Sequence, residues 1–151
     1  MSSIRSQIVA AVKVLLDGAG KPAGLQVRRV GMNPQESDDL PSITLWPGSE
    51  SVEKVNGHRY SPIVTRSFNL MIEVKAACPD ADAYDDAIDP VLCWVTSTLQ
   101  ASNYLGGLAT DLAETEIEWE FANSEDGVVG KALMTWRVQY QTATASQERK
   151  S

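Results

Sequence analysis

The groups in this chain that could do chemistry are mostly carboxylates, and they are crowded. Between Ala76 and Gly130 stand twelve of the chain's 20 Asp and Glu residues, with no Lys, Arg or His among them. Four of them alternate with other residues in Glu114-Thr-Glu-Ile-Glu-Trp-Glu-Phe121. On a strand, residues two apart share a face at about 6.5–7 Å. Glu114, Glu116, Glu118 and Glu120 therefore have the spacing of a paired-carboxylate hydrolase or, with water, of a hard-cation site such as calcium. Trp119 and Phe121 fall on the opposite face, where they cannot line a sugar cleft beside the glutamates. Two further readings stand beside these: a solvated outer face of an amphipathic strand, and a face with an electrostatic task, since a field of one sign costs self-repulsion.

Other chemistry is thinly supplied. The single histidine, His58, lies in Asn56-Gly-His-Arg-Tyr60 with no cysteine near it, so neither a catalytic triad nor a zinc site forms around it. Gly18-Ala-Gly-Lys-Pro22 and Gly127-Val-Val-Gly-Lys131 lack the glycine spacing of a phosphate-binding loop and its hydroxyl after the lysine. Cys78 and Cys93 stand fifteen positions apart with no CxxC, and read as reduced core residues rather than a disulfide framework. No catalytic residue, metal ligand or cofactor is assigned.

The elements that must position the acids follow from periodicity. Ile4, Ile8, Val12, Leu15 and Leu16 recur at helical spacing behind Ser3 as N-cap, predicting a helix over 4–16 that stops at Gly18. Residues 25–30 and 41–46 read as short strands, and 31–40 as a loop. Residues 47–62 are polar, hold the only histidine, His58, and read as an exposed connection. In the next strand Phe68, Leu70, Ile72, Val74 and Ala76 share one face, and Ser67, Asn69, Glu73 and Lys75 the other. A second helix carries Tyr84, Ile88, Val91, Leu92, Val95 and Leu99 as its buried stripe, with early aspartates at its positive end and Pro90 as a kink or true start. Two strands joined by Asn123-Ser-Glu-Asp-Gly127 close the domain as a hairpin. Trp119, Trp136, Phe68 and Tyr140 are expected in the core, and Trp46 and Trp94 beside it or at a subunit contact.

These elements make an α+β fold: one domain over 1–145, a mainly antiparallel sheet of four to five strands with two main helices packed on it, and a polar tail over 146–151. A length of 151 residues suits one domain with its own core. A net charge of -7 argues against general affinity for DNA or anionic membranes. No apolar run nears the roughly 20 residues of a membrane helix, and the N-terminus lacks the layout of a secretory signal. Assembly in the cytoplasm is the expectation.

The order and spacing of these elements resemble the tail terminator proteins of long-tailed bacteriophages, the group typified by the lambda minor tail protein U. The resemblance runs from the first helix, ending Val14-Leu-Leu16, to Tyr140. It includes Asp39-Leu-Pro41 leading into Ile43-Thr-Leu-Trp46, Gly48 and Glu50 in the polar connection, and the long strand Ser67-Phe-Asn-Leu-Met-Ile-Glu-Val74. It continues through Pro79 and the aspartate-rich helix with Leu92 and Leu99 to the hairpin ending Val138-Gln-Tyr140. The chain's loop from Gly18 to Pro34 is longer, and its glutamate row denser, than in that group.

The resemblance implies a non-catalytic virion protein at the head-tail junction. Such proteins form a hexameric ring that caps the tail tube, stops tube polymerisation and offers a surface to the head-completion connector. Partners would be other copies, the major tail tube protein and the connector, with DNA passing through unbound and no membrane involved. Glu116, Glu118 and Glu120 could then line an acidic bore that repels phosphate, and Glu50, Glu53, His58 and Arg59 would be the polar contacts of the 47–62 connection with a neighbour or the tube. The alternatives are another head-tail joining or tail tube protein, or a small cation-binding or hydrolase module on the Glu114–Glu120 row.

Overall fold

The structure, a computed structural model, describes residues 3–18, 20–29, 41–57, 62–78, 84–124 and 127–143. Helix α1 (Ile4–Leu16) starts where Ser3 Oγ accepts the Ser6 N–H at 3.1 Å, and buries Ile4, Ile8, Val9, Val12 and Leu16. The helix ends at Asp17, whose carboxylate takes Lys21 Nζ at 2.7 Å. That hydrogen bond, chiefly, holds the Asp17 carboxyl below its ordinary range.

Five strands follow: β1 (Gln26–Arg29), β2 (Ser42–Gly57), β3 (Pro62–Cys78), β4 (Asp111–Ser124) and β5 (Gly127–Ala143). They form one sheet in the order β1-β2-β3-β5-β4, parallel between β1 and β2 and antiparallel elsewhere. The α+β expectation is met, with the sheet mixed at one edge. Helix α2 (Tyr84–Gln100) runs between β3 and β4 and continues through Pro90 rather than starting there. Proline inside it leaves one backbone carbonyl without its helical N–H.

Side chains alternate cleanly along the central strands. Phe68, Leu70, Ile72 and Val74 of β3 and Ala132, Met134, Trp136, Val138 and Tyr140 of β5 lie at 0–1% exposure on one side. There they join Ile88, Val91, Leu92, Val95 and Leu99 of α2 and the apolar stripe of α1 in a single core. Full burial of each such aliphatic side chain contributes about 1.5–3 kcal/mol, so this two-layer contact carries the fold. The Tyr84 side chain, expected in that stripe, lies outside the described residues.

A short turn, α3 (Asn103–Gly106), was not foreseen by the periodicity. Its middle residues Tyr104 and Leu105 sit at φ 54° and 59°, and Gly106 and Gly107 at 69° and 90°. This is a left-handed turn, which costs a non-glycine residue about 1–2 kcal/mol. Leu105 offsets that by burial to 5% exposure, and its N–H donates to Ser102 Oγ at 3.3 Å.

Candidate functional site: the bulged strands and the open sheet face

Two β-bulges decide where the acidic groups point. Directly opposed residues of paired strands project to the same face, so register can be read as orientation. In β4, Leu112 opposes Val138 and Glu114 opposes Trp136, both on the helix-covered face. An extra residue then enters at Thr115, and Glu116 opposes Thr135. The Thr115 hydroxyl donates to the Thr135 carbonyl at 3.1 Å across the irregularity. Beyond it the parity is inverted, as one inserted residue must do. Glu116, Glu118 and Glu120 face the helix-free side, whereas Glu114 faces α2 and accepts from Thr96 Oγ1 at 3.2 Å.

The four-glutamate row read from alternation is therefore three glutamates on one face and one on the other. A paired-carboxylate or cation site built on Glu114 and Glu116 loses its geometry. Among the described residues, no three His, Cys, Asp or Glu side chains cluster so as to hold a metal ion.

The aromatics of β4 also depart from expectation. Ile117, Trp119 and Phe121 project to the helix side, but α2 covers only the first of them well. Trp119 remains 40% and Phe121 46% exposed, on the edge strand of the sheet. Between α2 and this strand lies an open groove of about 300 Å³, lined among others by Leu92, Cys93, Thr96, Ile117 and Trp119. Cys93 is exposed there and Cys78 is buried, both as free thiols. Only Cys78 fits the core reading.

The second bulge redirects Glu50. The polar stretch 47–62 is no loose connection: residues through 57 belong to β2, and β3 begins at Pro62. Pro47 opposes Leu70 and Glu50 opposes Phe68, with one extra residue between. That residue turns Glu50 from the open face onto the helix face. Its carboxylate there takes Arg5 Nη1 at 2.7 Å, accepts the Tyr140 hydroxyl at 2.5 Å, and lies 3.9 Å from Arg66. Arg66 Nε donates to the buried Thr142 Oγ1 at 3.4 Å. Burial, then the hydrogen bond to Glu50, pushes the Tyr140 hydroxyl well above its ordinary range. Glu50 thus ties α1, β2, β3 and β5 together inside the fold and is not a loop contact. The backbone of Glu53 sits at a further irregularity of β2; its side chain, and all of His58 and Arg59, lie outside the described residues.

Among the described residues no helix packs on the other face of the sheet. Across it run the rows Thr44–Glu73–Leu133–Glu118 and Trp46–Met71–Thr135–Glu116. Trp46, Met71 and Leu133 are half-buried there. Lys131 bridges Glu120 at 3.1 Å and Glu73 at 3.8 Å, while Lys75 meets Glu73 at 3.4 Å. The hydrogen bond to Glu120, chiefly, raises the Lys131 ammonium above its ordinary range. Arg137 Nε donates to Ser67 Oγ at 3.3 Å on the same face. The arrangement has few apolar side chains in a field of paired charges, the make-up of a polar protein contact rather than of an enclosed catalytic cleft. Sequence reasoning placed Trp46 as a contact candidate and missed Met71 and Leu133. Their signal was apolar residues at strand positions whose neighbours in sequence already filled the core.

No helix among the described residues is long and apolar enough to cross a membrane. No model of a known protein family matches this chain, and no curated protein matches it significantly.

Proposed function

We propose that this chain is a structural protein of a long-tailed bacteriophage, a tail terminator that assembles as a ring on the finished tail tube, halts its growth and receives the head. The observation that carries this reading is the one-sided sheet. Both main helices cover one face, leaving Trp46, Met71 and Leu133 half-buried among charges on the other, with an acidic strand at the sheet's far edge. A surface of that kind suits subunits that meet partners over broad polar faces. The order of elements is the one expected from the resemblance. The reading is non-catalytic, with cytoplasmic assembly and a final place in the virion at the head-tail junction. Copies of itself, the tube protein and the connector are its partners.

Electron microscopy of phage particles made without this protein tests the reading directly. Overlong, headless tails are the expected result, with normal length and attached heads restored by adding the purified chain. Tails of uniform length with heads in place would overturn it. If the purified chain instead polymerises into long tubes, it is a tube subunit. Calorimetric binding of calcium or magnesium well below millimolar would favour the cation-binding alternative on Glu116, Glu118 and Glu120.

A further inference from the structure

The two edges of the sheet carry opposite charge. At one edge β1 holds Arg28 and Arg29 and no acid; at the other β4 holds Asp111, Glu114, Glu116, Glu118 and Glu120 and no base. Among the described residues neither strand has a partner on its outer side. An exposed edge is a ready template for pairing, and like charge on it blocks self-pairing. Two β4 edges repel each other, as do two β1 edges. Only a β1 edge against a β4 edge is attractive.

We infer that β1 of one copy adds to β4 of the next, so that the sheet continues from subunit to subunit. The strand directions agree with this. One parallel and three antiparallel steps separate β1 from β4, so the two run in opposite directions within a subunit. Rotation about an axis along the strands preserves those directions. The incoming β1 therefore lies antiparallel to β4, the more stable pairing. Such a heterologous contact closes into a ring when its rotation divides a full turn, and makes a filament otherwise.

The faces agree as well. Arg28 opposes Thr44 and so lies on the open face, where Glu116, Glu118 and Glu120 also lie. With Arg28 opposite Glu118, Gln26 falls opposite Glu120, and Val27 falls beside Trp119 on the helix side. The added strand would cover part of the 40% and 46% exposure of Trp119 and Phe121. The glutamates then select the partner edge and do not line a bore.

This inference deepens the ring reading by naming the contact, and cross-linking tests it. Both chains carry Cys93→Ser to remove the exposed thiol; one adds Gln26→Cys and the other Glu120→Cys, both at exposed positions. A short bis-maleimide should join the two chains when mixed and neither chain alone. A chain with both cysteines should give a ladder of multimers. Arg28→Glu in the first chain should cut the yield several-fold, and Glu118→Lys in the second should restore it. Absence of adducts, equal adducts from either chain alone, or a yield indifferent to the charge changes would overturn the inference. Rings seen by mass without these cross-links would sink the edge contact and leave the tail reading standing. Cross-links from a protein that leaves tail length uncontrolled would do the reverse.

Discussion

Removing the Glu50 carboxylate should unseat the fold rather than an interface. Glu50 keeps only 14% of its side chain exposed and receives two hydrogen bonds, from Arg5 at 2.7 Å and Tyr140 at 2.5 Å. Hydrogen bonds to a charged group contribute about 1.5–3 kcal/mol each, and stranding the Tyr140 hydroxyl without an acceptor costs about 1–3 kcal/mol. Taking one partner from a buried ion pair costs about 3–5 kcal/mol. Arg5 is 32% exposed, so solvent screens its share and the low end applies. Glu50→Ala should therefore cost about 3 kcal/mol. Tyr140→Phe leaves the Arg5 pair intact and should cost about 1 kcal/mol, with a coupling of about 1–2 kcal/mol in the double-mutant cycle. Urea unfolding followed by circular dichroism reads this directly. At a slope of about 2 kcal/mol/M the midpoint of Glu50→Ala falls by about 1.5 M. A midpoint moved by less than about 0.3 M, together with lost self-association, would refute the structural role and return Glu50 to the interface.

The same network sets an alkaline limit. The Tyr140 hydroxyl is raised above its ordinary value of 10.0 in the folded state. Above that pH the unfolded chain releases the proton while the folded chain still holds it. Stability is thus fully present below pH 10 and falls as pH climbs beyond it, by up to about 1.4 kcal/mol per pH unit; Tyr140→Phe should remove that component of the slope. Tyr104 is half-exposed at φ 54°, so Tyr104→Gly should be neutral or stabilise by up to about 1 kcal/mol, where glycine in an ordinary helix destabilises; a clear drop in melting temperature would contradict the left-handed turn. Cys93 should react with a thiol reagent in the native protein while Cys78 waits for unfolding, and equal rates would contradict their placement. Reversing Glu116, Glu118 and Glu120 together to Lys should leave the urea midpoint nearly unchanged, since exposed pairs such as Glu120–Lys131 contribute about 0–1 kcal/mol; a collapse of the fold would show these side chains to be part of its packing.

Much of the architecture was legible because burial imposes a period. The alternation of Phe68, Leu70, Ile72 and Val74 against Asn69, Glu73 and Lys75 is the alternation the structure displays. The same holds for Ala132 to Tyr140. The apolar stripe of α1 and its Ser3 cap were equally plain. The stretch 47–62 misled because Pro, Gly and polar residues there resemble a loop. Among the described residues β1 pairs only as far as Leu45, so Pro47 has a ladder partner on one side of β2 alone, an edge position that tolerates proline. The left-handed turn at Tyr104 carried no sequence signal beyond Gly106 and Gly107.

The amino-acid sequence by itself determined which residues are apolar, which acidic, and the period at which they repeat. From these follow the helices, the strands, the sheet's buried face and the concentration of negative charge on one part of the chain. What only the tertiary structure decided was the face on which each acid stands. One extra residue at Thr115 and one between Pro47 and Glu50 reverse a period of two. An alternating pattern cannot report such an insertion, because the bulge is set by pairing with a distant strand and not by its neighbours in sequence. Hence Glu50 entered the core network, Glu114 turned to α2, and Glu116, Glu118 and Glu120 came to mark the far edge of the sheet.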